Sequence, residues 1–167
     1  MTETLTLRRA EARDIPALDD LFQRSYMALL KDDYAPSVLV TAVPVIGRAQ
    51  PALIASGLFH VVEAGGRIAA AGGWSLAAPG GAPGRRGVGH VRHVATDPAM
   101  LRRGAARMVL DHIKIEAKAS GMAQLHCQST LTAEPFYAAM GFDTRGPVTI
   151  GLRGGIDFPA VFMVAQL

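Results

Sequence analysis

Apolar and polar positions alternate over Thr4–Arg9, with Leu5 and Leu7 set against Thr6 and Arg8. That period of two predicts a first strand. Asp14 and Pro16 then read as the start of a helix, Asp14 as its cap. Its broad apolar face carries Ile15, Leu18, Leu21, Phe22, Tyr26 and Leu29 or Leu30. Asp32-Asp33-Tyr34-Ala35-Pro36 interrupts it; Ser37–Arg48 follows as a second helix, weakened at Pro44, and Pro51–Ser56 as a short helical piece. From Leu58 the period changes. Leu58–Glu63 and Arg67–Leu76 read as strands joined through Ala64-Gly65-Gly66, a hairpin signal. Ala77–Gly87 is rich in Gly and Pro and reads as a surface loop. His90–Thr96 is the next strand and Arg103–Ser120 a long helix, with Ala106, Val109, Leu110, Ile113 and Ala117 at helical spacing and Gly121 past its end. Ala123–Ser129 is a strand and Ala133–Met140 a short helix stopped by Gly141; Phe142–Ile150 and Phe158–Ala165 are closing strands. A hairpin and a strand–helix–strand crossover in one chain predict a mixed α/β sheet of about seven strands, with helices on both faces.

The 167 residues suit one domain, residues 1–167, with a real core. A hydrophobic content of 50% against 19% charged residues excludes a disordered chain. The formal charge of +3 is mild and no long Lys/Arg run is present, so local anion pockets are expected and nucleic acid is not. The single Cys127 excludes an internal disulfide and fits a reducing compartment. No apolar run is long enough for a membrane span and the amino-terminus has no signal-type core, so cytoplasm is the default.

Candidate chemistry concentrates in HVRHVATDPAMLRRGAAR, residues 90–107. A β-rich run breaks at Asp97-Pro98, a basic turn with Arg102, Arg103 and Gly104 follows, and a helix begins at once. The first turn of a helix offers unpaired N–H groups and the positive end of its dipole, which suits phosphate. Other signals are weaker. GRRGVG at 84–89 precedes a strand instead of following one, so the dinucleotide-loop context fails. His90, His93, His112 and His126 lack the spacing of a catalytic zinc site, and no metal is expected. Cys127 lies in a strand, where a free thiol is usually packing.

Two segments carry a family likeness. HVRHVATDPAMLRRGAA is similar to the cofactor signature of the GNAT superfamily of acyl-CoA-dependent N-acetyltransferases, and STLTAEPFYAAMGF resembles that family's later motif. About thirty residues separate them, filled by one helix and one strand, as in the family. One departure is Leu101, which stands where the family usually has Gln or Arg. The resemblance implies the GNAT fold and acetyl-CoA as co-substrate. It places the pyrophosphate on the backbone of Arg102, Arg103, Gly104, Ala105, Ala106 and Arg107, and the pantetheine along Val94, Ala95 and Thr96. Thr132 and Phe136 of the second motif complete the cofactor side. An N–H near Val94–Thr96 is the expected oxyanion donor. The resemblance makes Tyr137 the general acid and His90 the candidate base, with His93 and Glu63 as weaker alternatives. Strand alternation sets His93 on the face opposite His90 unless a bulge intervenes. Of Phe22, Tyr26, Tyr34 and Trp74, Tyr26 and Trp74 are the expected acceptor-side residues. The function implied is acetyl transfer to a primary amine of a small molecule. An acyl-CoA-binding sensor and a protein or peptide acetyltransferase are the alternatives. A homodimer through a sheet edge or the last strand is compatible with the pattern.

Overall fold

The computed structural model describes residues 3–167. Seven strands form one sheet in the order β1-β2-β3-β4-β5-β7-β6. The strands are β1 (Leu5–Arg9), β2 (Phe59–Ala64), β3 (Arg67–Ser75), β4 (Val88–Thr96), β5 (Gln124–Ser129), β6 (Asp143–Leu152) and β7 (Ile156–Gln166). Neighbours pair antiparallel except β4 with β5, which run parallel. The helices are α1 (Ile15–Leu29), α2 (Pro36–Ile46), α3 (Pro51–Ala55), α4 (Ala105–Ala119) and α5 (Glu134–Ala139). Among the described residues, no helix is long and apolar enough to cross a membrane.

The helices divide between the two faces because their apolar stripes demand it. On one face α4 buries Ala105, Val109, Leu110, Ile113 and Ala117 against Val62, Ala70, Val91 and Leu125 of the sheet. On the other, α1 buries Leu18, Leu21 and Phe22 against Phe59, Val61, Ala71 and Ala95. The neighbouring α2 buries Leu39, Ala42 and Val43 with Phe158 of β7. It continues through Pro44 to Ile46, because a proline this near the end of a helix removes only one late hydrogen bond. Asp14 does not cap α1 with its side chain. Its carboxylate accepts instead from the Glu11 N–H and from Arg8.

Two irregularities in β4 shape everything near it. First, β4 pairs with β5 only at Val88, Gly89 and His90, whereas β5 stays bonded to β7 from Gln124 to Ser129. Beyond His90 the two parallel strands part, and Val91–Thr96 has no partner strand on that edge. Second, β4 holds one more residue than β3 between the pairs Gly73–Arg92 and Ala71–Ala95. The extra residue is a bulge at His93, whose φ of 52° is rare for a side-chain-bearing residue. It puts the His93 ring against Phe22 of α1, with centroids 4.8 Å apart. Gly72 lies opposite the bulge. A Cβ there would stand 2.8 Å from Val94 Cγ2 and 2.9 Å from Val109 Cγ1, so β3, β4 and α4 close together only over a bare glycine. Gly72→Ala is therefore expected to lower stability by roughly 1–3 kcal/mol, the usual cost of overpacking. Urea unfolding measures it, and an unchanged midpoint would show that the neighbours yield freely.

Candidate active site

The gap between β4 and β5 opens into a cavity of about 620 Å³. Its lining gathers residues remote in sequence: Tyr26, Leu29 and Leu30 of α1, Val94–Thr96 of β4, and Tyr137 with Phe136 and Met140 near α5. At one end lies the turn into α4. Asp97 opens that turn by accepting the Ala99 N–H at 2.9 Å. Arg102 (φ 62°) and Gly104 (φ 83°) then take left-handed backbone conformations, which turn successive amides to one side. No side chain caps Gly104, and the first helical bond runs from the Met108 N–H to the Gly104 carbonyl. The amides of Ala105, Ala106 and Arg107 thus have no acceptor within the helix. Exposed Arg102 and Arg107 add positive charge at the same rim. The cavity has a cationic, amide-lined head and an apolar body, which matches an anionic ligand with a long, thin, apolar arm.

Tyr137 is buried in that body, 5% exposed, beside Phe136 and Phe142. Burial, reinforced by the adjacent Cys127, pushes its phenol well above the ordinary tyrosine value, so it keeps its proton. Burial also pushes the Cys127 thiol up to about 12, which makes it a poor nucleophile at neutral pH. Tyr26 is raised by burial as well.

The cavity brings together Tyr26, Val94, Ala95, Thr96, Arg102, Gly104, Ala105, Ala106, Arg107, Thr132, Phe136 and Tyr137, all singled out in the sequence. Leu101, the departure from the motif, also lines it. Arg103 does not; its guanidinium lies 3.8 Å from Glu3. Trp74, expected on the acceptor side, sits on the α4 face, 1% exposed, and its indole N–H donates to Glu116 at 2.9 Å. Phe22 belongs to the core, and Glu63 is bound by Arg8 at 2.7 Å on β2.

His90 lies where β4 and β5 last pair, opposite His126, just before the strands part and outside the cavity lining. Burial, with help from His126 and Arg92, holds it below the ordinary histidine value, and its Nε2 is buried without a hydrogen-bond partner. The bulge brings His93 round toward α1, where burial pushes it down to about 4.

Two connections beside the cavity were not legible in the sequence. The Tyr34 hydroxyl donates to the Pro159 carbonyl at 2.6 Å and accepts the Leu131 N–H at 2.9 Å. Thr132 Oγ1 donates to Asp33 at 2.7 Å. Together they tie the α1–α2 turn to the loop before α5. Ser25, buried and lining the cavity, had a visible signal, being a polar residue within the apolar stripe of α1.

Comparison with known proteins gives the family and the fold. Residues 51–158 match the family model described as acetyltransferase (GNAT) domain. The match runs from α3 into β7, so the chain belongs to the GNAT acetyltransferase family and is an acyltransferase. A GCN5-related N-acetyltransferase from Rhodopseudomonas palustris superposes with a TM-score of 0.78 at 20% identity, over 100% of this chain and 98% of that one. The PaiA N-acetyltransferase from Thermoplasma acidophilum, solved with coenzyme A, gives 0.72 at 11% identity over 98% and 99%. A GNAT acetyltransferase from Brucella melitensis, solved with acetyl-CoA, gives 0.65 at 14% identity over 99% and 89%. At these identities the structural likeness establishes the GNAT fold. Comparison with curated proteins gave no match.

Asp97 anchors the cradle, so its charge has a measurable signature. Its side chain is 1% exposed, and burial alone pushes the carboxyl up. The Ala99 N–H, Arg24 at 3.3 Å and Arg67 at 3.5 Å outweigh burial and hold it below the ordinary value. A depressed folded value gives stability that is present above the unfolded value of about 3.9 and is lost as pH falls through the folded one. Asp97→Asn keeps the cap geometry and removes the charge. Urea midpoints across pH should show the variant less stable near neutrality and the two proteins converging below about pH 4. A constant difference at all pH values would show that the charge is not what matters.

Proposed function

We propose that this acyltransferase uses acetyl-CoA and transfers its acetyl group to a primary amine of a small molecule, by direct attack while both substrates are bound. The observation that carries this reading is the confluence of an unpaired β4 edge, an amide cradle and a protonated tyrosine in one cavity. The left-handed turn at Arg102–Gly104 is open, with nothing within 4 Å of where a Gly104 Cβ would stand, so a diphosphate can approach the backbone closely. Arg102 and Arg107 add their charge to the grip. The free edge of Val94–Thr96 bonds the pantetheine amides as an added strand would.

The amine nitrogen attacks the thioester carbonyl, and the new C–N bond forms as the carbonyl oxygen takes negative charge. A backbone N–H of the Val94–Thr96 edge faces that oxygen, and losing such a donor typically costs about 10²–10³ in turnover. The C–S bond then breaks, and Tyr137 gives its proton to the leaving sulfur. The amine proton passes through water to His90, whose lowered basicity keeps the imidazole neutral and able to accept. Tyr26, Leu29 and Leu30 narrow the α1 side of the cavity, which favours a small acceptor over a peptide backbone.

Thiol release from acetyl-CoA over a panel of amines, amino acids and polyamines tests the reading. Tyr137→Phe should lower kcat by about 10²–10⁴ with little change in CoA affinity. A fully active Phe variant would remove Tyr137 from the reaction, and binding without thiol release by the wild type would favour a sensor. For His90, the rate is expected to fall on the acid side at a pH below the ordinary histidine value of about 6.5. His90→Gln should abolish that limb and lower kcat/KM by about 10²-fold. An unchanged acid limb would move the base elsewhere.

A further inference from the structure

On the α4 face of the sheet, two histidines converge on one carboxylate. His60 sits on β2, 1% exposed, with its Nε2 3.0 Å from Glu116 Oε1. His112 stands one turn before Glu116 on α4, with its Nε2 3.6 Å from Glu116 Oε2. The two imidazole rings lie 4.3 Å apart and nearly perpendicular. One ligand atom from each of the three residues lies within 4.8 Å of the others.

We propose that His60, His112 and Glu116 bind a divalent transition-metal ion of zinc-like preference, which bolts α4 to β2. Bonds of about 2.0–2.1 Å in a tetrahedral zinc site place neighbouring ligand atoms about 3.3 Å apart. His60 reaches Oε1 at 3.0 Å and His112 reaches Oε2 at 3.6 Å, with the three ligand atoms within 4.8 Å of one another, so rotation of the carboxylate and of the part-exposed His112 side chain draws the set to that spacing. Two imidazoles with one carboxylate suit zinc, and leave one position for water. The Trp74 indole N–H fixes the carboxylate by donating to Oε1 at 2.9 Å, the kind of outer contact that orients a metal ligand. His112, with 36% of its side chain exposed, gives an ion a way in from solvent. Beyond His112 itself, the opposing charge at His60 is Arg9, paired with it in the β1–β2 register, which the Glu116 carboxylate must outweigh.

A hydrogen-bonded cluster without metal accounts for less of this. It does explain the two carboxylate contacts, by an Nε2–H bond from His60 and by the i,i+4 spacing of His112 on α4, but not why two imidazole rings crowd to 4.3 Å around one carboxylate. The site is distinct from the cavity of Tyr137. His112 and Glu116 lie roughly 10–17 Å further along α4 than its first residue, at 1.5 Å per residue. An ion there would stiffen the helix whose opening turn forms the amide cradle, without entering the acyl-transfer step.

The test uses tag-free, full-length protein stripped with a chelator and titrated with Co²⁺, then with competing Zn²⁺. We expect one equivalent of Co²⁺ with the intense visible bands of four-coordination and no thiolate charge-transfer band, displaced by Zn²⁺. Zn²⁺ should raise the melting temperature of the wild type. His112→Ala, on the part-exposed side of the helix, should fold and bind at least ten-fold more weakly, with no melting shift. Glu116→Gln should behave likewise. No saturable binding by the wild type would overturn the proposal. So would weak six-coordinate bands, or an affinity unchanged in His112→Ala, which would place the ion on other histidines.

Discussion

The parting of β4 from β5 after His90 is the constraint on which the rest depends. Two parallel strands that stay paired would close the sheet and leave no space behind it. Here β5 is held in place by β7 along its whole length, while β4 is held by β3 as far as Thr96. Each strand is fixed by its outer neighbour, so the gap between them is stable without bonds across it. The exposed backbone edge of β4 would ordinarily be a liability that invites another strand. Inside a cavity closed by α1 and α5, that edge is sheltered from other chains and open to a slender ligand.

The bulge at His93 and the turn at Asp97 act on the same strand from within. The bulge adds one residue to β4, changes which side chains face α1, and is held by Phe22 on one side and by the missing side chain of Gly72 on the other. The turn ends the strand with a buried carboxylate and delivers the chain into α4 with its first amides free. Edge, bulge and amide cradle therefore form one continuous run, residues 88–107, and the core around α4 keeps that run rigid. Positioning of this kind is what acyl transfer needs, because effective catalysis requires reacting groups held in place before reaction begins.

Much of this was legible in the chain because it is local. The period-two and period-3.6 stretches located all seven strands and the long helix, with ends shifted by a residue or two. The helix α4 begins at Ala105 and not at Arg103, because Arg102 and Gly104 are occupied by the left-handed turn. The second motif led to Tyr137. The failures are tertiary. Alternation says that Trp74 and Ser75 face opposite ways, but not which face of the sheet carries α4, so Trp74 was expected on the wrong side. Arg103 belongs to the right turn but points away from the cavity toward Glu3. His60 gave no signal in a strand of FHVVEA, since its partners come from a helix more than fifty residues later. Tyr34 reads as a turn residue until Leu131 and Pro159 are brought to its hydroxyl.

In the proposed reaction coenzyme A lies against the β4 edge with its diphosphate on the amides opening α4. Amide hydrogen exchange with and without coenzyme A tests this residue by residue, since bonded amides exchange slowly and free ones quickly. Slowing confined to Val94–Thr96 and Gly104–Arg107, with no change at the outer strands β1 and β6, is the predicted result. Unaltered exchange at both segments in the presence of saturating coenzyme A, or protection centred on another face of the sheet, would contradict it.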